Sequence, residues 1–76
     1  MPTAFVCIVT EPTSVAEGLK EIRETEGVQE AQIVYGIYDI LVKVKAETMD
    51  HLKRIITEHI RRIAGVRTTL TLTVIE

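Results

Sequence analysis

Apolar residues recur along this chain with two different periods, and the places where one gives way to the other mark its elements. From Ile33 to Lys45, a β-branched run meets a glycine-centred turn at Gly36 and a second run leaves it. In that second run Ile40, Val42 and Val44 fall on one side of an extended chain, with Leu41, Lys43 and Lys45 on the other. Gly36 supplies the backbone freedom a tight reversal needs. The stretch predicts a β-hairpin in the middle of a small sheet. One acid, Asp39, stands where the turn enters the otherwise apolar strand.

The flanking segments extend the pattern. Ala4 to Thr10 is apolar on both alternations and predicts a strand buried on both faces. Glu11-Pro12-Thr13 ends it, because proline removes a ladder donor and restricts its predecessor. Ser14 to Glu17 has the S-x-x-E spacing of a capping box, so a helix follows with Val15, Leu19 and Ile22 on its buried side. Gly18 weakens that helix by ~1 kcal/mol against alanine, which suggests close packing on the sheet. Gly27 stops the helix. Val28 to Tyr35 is the second strand, and Gln29, Glu30 and Gln32 give it the wetter face of an edge. Thr48 caps a second helix, which buries Leu52, Ile55, Ile56, Ile60 and Ile63. Lys53, Arg54, Glu58, Arg61 and Arg62 fall mostly off that stripe, and Gly65 closes the helix. Val66 to Ile75 is the last strand, with Leu70, Leu72 and Val74 alternating with Thr69, Thr71 and Thr73.

The predicted order is therefore β-α-β-β-α-β, with helix–Gly–Val–strand recurring at Gly27-Val28 and Gly65-Val66. This is the ferredoxin-like α+β arrangement, a four-stranded antiparallel sheet with two helices on one face. The other face is expected to be lined by Thr69, Thr71, Thr73, Leu41 and one side of the first strand. A second sheet would cover it well, giving a dimer through the sheet.

Composition narrows the setting. The 76 residues make one domain over 1–76, and 46% of them are apolar, more than one thin core absorbs. A net charge of −2 offers no electrostatic footprint for nucleic acid, so no direct nucleic-acid binding is expected. No apolar run approaches the ~18 residues of a membrane span, and Met1-Pro2-Thr3 does not resemble a basic leader. The lone Cys7 excludes an intrachain disulfide and suits a reducing, cytoplasmic setting.

Catalytic chemistry finds little support. His51 and His59 lie more than two helical turns apart, and Cys7 has no C-x-x-C partner, so no metal site is expected. The glycines are isolated, without a phosphate loop or any other cofactor motif. Met1-Pro2 leaves one enzymatic alternative, a small oligomeric tautomerase with Pro2 as its base, but such chains carry a single βα repeat. Asp39 has two readings: an acid bonded to local backbone N–H groups or solvent, or the anchor of a ligand ammonium. Backbone N–H groups around Gly36 would then meet a carboxylate, and threonine hydroxyls would complete an amino-acid site.

Tyr35 to Val44 resembles the G-x-Y-D-hydrophobic stretch of the effector (RAM) domain of Lrp/AsnC transcription regulators. Gly65-Val66, then Thr69-Leu70-Thr71 and a hydrophobic end, is similar to that domain's closing P-G-V…T-x-T strand, with Ala64 in place of the proline. The resemblance implies homodimers formed through the sheets, higher oligomers built from them, and amino-acid effectors bound between dimers near the turn. On it, Gly36 gives close backbone approach, Asp39 binds the ligand ammonium, Tyr38 walls the pocket, and Thr69 or Thr71 offers a hydroxyl. The family's helix-turn-helix segment has no counterpart here, so a stand-alone RAM domain is expected, sensing amino acids or co-assembling with full-length relatives. The ACT domain, an alternative amino-acid-binding module, shares the topology but not the G-x-Y-D turn.

Overall fold

Alternation along the first strand splits the molecule into two layers. In the computed structural model, which describes residues 1–75, β1 (Thr3–Thr10) buries Ala4, Val6, Ile8 and Thr10. Its other side, Thr3, Phe5, Cys7 and Val9, stays half-buried, so within one subunit the strand is enclosed on one face rather than both. The remaining elements are α1 (Val15–Arg23), β2 (Val28–Ile33), β3 (Ile40–Lys45), α2 (Met49–Arg54) and β4 (Val66–Thr73). Glu76, the last residue of the expected domain, lies outside the described residues.

All pairings are antiparallel, and the strand order is β2-β3-β1-β4. This is the ferredoxin-like order expected from the sequence, with the first and third strands central. Ala4, Val6, Ile8, Ala31, Ile40, Val42 and Val44 form the sheet half of the core. Ile22, Leu52, Ile55, Ile56 and Ile60 come down on them from the helices, with Val15, Leu19 and Ile63 packed at the margin. Each fully buried isoleucine contributes roughly 1.5–3 kcal/mol of burial.

The helices depart from expectation at three points. Ser14 has φ −110° and ψ 1°, not the extended backbone of an N-cap, and makes no capping hydrogen bond. Pro12–Ser14 forms a 3₁₀ turn instead, so the expected capping box with Glu17 is absent. Gly18 is buried, yet nothing lies within 4 Å of where its Cβ would stand, so it marks no close approach. The Thr48 cap does form, its hydroxyl accepting from the His51 N–H at 3.1 Å. α2 then passes into a π-type segment at Ile55–Ile60, where the Arg61 N–H donates five residues back to the Ile56 carbonyl. That wider turn brings Ile55 and Ile60, five residues apart, to one buried side.

The threonines of β4 are the largest correction. Thr69, Thr71 and Thr73 pair with Ile8, Val6 and Ala4, which places them on the helix side of the sheet. Leu70 and Leu72 pair with Cys7 and Phe5 and line the open face, together with Leu41. The cause is a bulge: Thr10 pairs with Val66 and Val9 with Thr68, so Arg67 is an extra residue that inverts the alternation after Val66. The strand also ends at Thr73 rather than Ile75.

Candidate ligand site at the hairpin

β2 leaves the sheet at Ile33, two residues before the expected Tyr35, and β3 begins at Ile40. The connection is thus a six-residue loop from Val34 to Asp39, not a tight reversal, closed by the Val34 N–H donating to the Asp39 carbonyl at 2.9 Å. Gly36 has φ +147°, a region favouring glycine, and no atom lies within 4 Å of an added Cβ. Tyr35 and Ile37 on either side of it project into solvent, giving the loop an apolar tip. Tyr38 folds back and is half-buried.

Asp39 ties this loop to the end of β1. Its N–H donates to the Ile8 carbonyl at 2.8 Å, and its carboxylate Oδ2 accepts from the Thr10 N–H at 2.9 Å. The reason lies in the register: even-numbered residues of β1 turn their backbone groups toward β3, which starts only at Ile40. The Thr10 N–H is therefore the first on that side without a ladder partner, and the Asp39 carboxylate takes the carbonyl's place. This is the backbone-bonded reading of Asp39, reached through a residue 29 positions away rather than a local turn. The second carboxylate oxygen has further lone pairs to offer. The Thr10 hydroxyl, in a residue only 4% exposed, has no hydrogen-bond partner among the described residues.

The expected site residues divide into two groups. Gly36, Tyr38 and Asp39 stand together on the hairpin side of β1. Thr69 lies opposite Ile8 across the other edge of β1, about two strand spacings or ~10 Å away, and Thr71 a residue pair further along. One subunit does not bring the two groups into contact. Sequence reasoning missed Thr10, for which no local signal exists, because its part depends on where β3 begins. A separate groove of about 530 Å³, lined by Glu21, Glu24, Glu26, Glu58, His59 and Arg62, involves none of these residues. No group of His, Cys, Asp and Glu among the described residues is arranged to hold a metal ion, and no helix is long and apolar enough to cross a membrane.

Comparison with known proteins agrees with the architecture. An uncharacterised HTH-type transcriptional regulator of Pyrococcus furiosus is 40% identical over 73 residues, covering 92% of this chain and 49% of the regulator. The chain thus spans about half the length of the regulators it matches. Homocitrate synthase of Saccharolobus islandicus is 44% identical over 67 residues, covering 88% of this chain but 12% of the enzyme. The crystal structure of FFRP-DM1 superposes with a TM-score of 0.94 at 37% identity, covering 99% of this chain and 100% of that one. The family model described as the Lrp/AsnC ligand binding domain matches residues 3–76, from the first residue of β1 onward. With the strand order, the G-x-Y-D hairpin and this match in agreement, the chain belongs to the Lrp/AsnC ligand-binding domain family.

Proposed function

We propose that this domain is a regulatory module that binds a small molecule, an amino acid, and assembles through its open sheet face. The observation that carries this reading is the company the module keeps. It forms about half of named transcriptional regulators and about an eighth of a synthase, 49% and 12% of their lengths. A module retained beside unrelated chemistries supplies sensing and assembly rather than catalysis.

Face-to-face dimers bury Leu41, Leu70, Leu72, Phe5 and Cys7, and the apolar hairpin tips join dimers into a higher oligomer. The amino acid sits at the contact between dimers. Its ammonium meets the free oxygen of Asp39, whose rotamer the Thr10 N–H holds. Its carboxylate approaches the open backbone at Gly36, and Tyr38 walls one side. Thr69 and Thr71 reach it from another copy, since those of the same subunit stand across β1. Full-length relatives of the family are partners for co-assembly.

A thermal-shift screen of the twenty amino acids identifies the effector, and calorimetry on Asp39→Asn then tests the anchor. A charge-assisted contact is worth roughly 1.5–3 kcal/mol, so the substitution weakens binding by about 10- to 150-fold. Asparagine keeps an oxygen for the Thr10 N–H, so folding is spared. Equal affinities would return Asp39 to its strand-closing task alone. Turnover of keto acids, lost in Pro2→Ala, would instead establish the tautomerase reading.

A further inference from the structure

Thr10 carries a polar group that the fold leaves unserved. Its side chain lies on the helix side of β1, in line with Ala4, Val6 and Ile8, and the residue is 4% exposed. The hydroxyl has no hydrogen-bond partner among the described residues. A hydroxyl taken out of water without a partner destabilises the free domain. Valine has the same shape and none of that penalty, so packing alone gives no reason for threonine here.

The neighbouring group supplies one. The N–H of the same residue donates to Asp39 Oδ2 at 2.9 Å. The hydroxyl oxygen is three bonds from that nitrogen and stays within about 4 Å of it in every staggered rotamer. A turn about the single Cα–Cβ bond therefore carries it from the core toward the carboxylate while the backbone stands still. The Asp39 backbone is fixed at both polar groups, its N–H donating to Ile8 and its carbonyl accepting from Val34. Its carboxylate is pinned through one oxygen only, although an ionised carboxylate has about four lone-pair sites.

We propose that Thr10 is a positioning residue of the effector site: on binding, its hydroxyl leaves the core and donates to the Asp39 carboxylate beside the N–H already there. This rests on the reading of Asp39 as the ammonium anchor and extends it by one residue. In the free domain Asp39 is half-buried, and water serves its remaining lone pairs. An amino acid seated against it excludes that water, and the hydroxyl is a donor one rotamer away that replaces it. Two donors from one threonine then hold the carboxylate plane for the incoming ammonium. The hydrogen bond is absent before binding and present after it, so it favours the complex over the free domain.

Thr10→Val and Thr10→Ser, compared with the wild type, test this. Each of the twenty amino acids is added in thermal melts, and the one giving the largest shift is carried into calorimetry. Thr10→Val keeps the N–H bond and the shape. Its free form is expected to melt at or above the wild-type Tm, by up to about 8 °C, while it binds that amino acid about tenfold more weakly. Thr10→Ser keeps the hydroxyl and is expected to retain the wild-type affinity. A purely structural residue would not lower affinity while sparing stability. Unchanged affinity in Thr10→Val overturns the inference and leaves Asp39 anchored by the N–H alone. Serine binding as weakly as valine overturns it too, since the hydroxyl is then not the cause. So does a lower Tm for free Thr10→Val, because the hydroxyl then has a partner before binding, such as a buried water. If no amino acid shifts the wild-type melt, the effector reading itself falls, and this inference with it.

Discussion

β2 and β4 enter the sheet in the same way and end with opposite exposures. Each follows a helix through a glycine in the left-handed region and a valine, Gly27-Val28 at φ +91° and Gly65-Val66 at φ +92°. Each lies at an edge and carries a bulge near its start. Yet one edge is closed by an arginine from the preceding helix, Arg23 bonding the Ala31 carbonyl, while the other runs uncharged from Thr68 onward. An edge strand's openness is thus decided less by its own alternation than by the side chains that reach it.

The largest expected effect separates the two entry glycines. Alanine at position 65 keeps the unfavourable φ and sets its Cβ against the Ser14 side chain, whose atoms stand close to backbone and cannot swing away. About 1–2 kcal/mol of left-handed strain and about 1–3 kcal/mol of overpacking add to a loss of roughly 3 kcal/mol. Gly27→Ala carries the same strain, and its Cβ meets the Lys45 carbonyl oxygen at 3.0 Å and the terminal Cδ1 of the buried Ile55 at 2.6 Å. That side-chain end can shift where the Ser14 Cβ cannot, so about 2 kcal/mol is expected. Urea unfolding of both variants checks the order, and equal losses would show that Ser14 yields as readily as Ile55.

Arg23→Ala comes next and breaks the contrast directly. The Ala31 carbonyl then depends on solvent, costing about 1 kcal/mol, or roughly 4–8 °C in Tm for a domain of this size. The freed edge should also add a faster-sedimenting association product at high protein concentration. If the variant's association matches the wild type, the guard on β2 is the bulge and not the guanidinium.

Gly18→Ala is the smallest change and goes the other way. With open space around the added Cβ and a helical backbone, it is expected to stabilise by about 0.5–1 kcal/mol in thermal melts. A loss instead would mean that α1 sits closer to its neighbours than the open space around Gly18 allows.

The sequence made some of this legible and hid the rest for physical reasons. β3 was plain because six residues alternate without interruption, and both helices were plain from their apolar stripes. The faces of β4 were not, because a run of alternating threonine and leucine has two consistent phases and one extra residue, Arg67, selects between them. The capping box failed because its spacing is satisfied by a turn as well as by a helix start. At the candidate site, Gly36 and Asp39 stood out as turn chemistry. The bond from Thr10 and the closure of Ala31 by Arg23 join segments whose proximity exists only after folding.

The strand order has a consequence for how the chain comes into being. The first strand to leave a ribosome, β1, is an inner strand, and both of its neighbours are encoded later, at residues 40–45 and 66–73. The hairpin of β2 and β3 can close locally within microseconds once it emerges. β1 must wait for it, and then again for residues 66–73, with both edges bare in the meantime. The nascent domain therefore completes its inner sheet only when β4 arrives, and that strand is the one whose outer edge remains unguarded beyond its first residues.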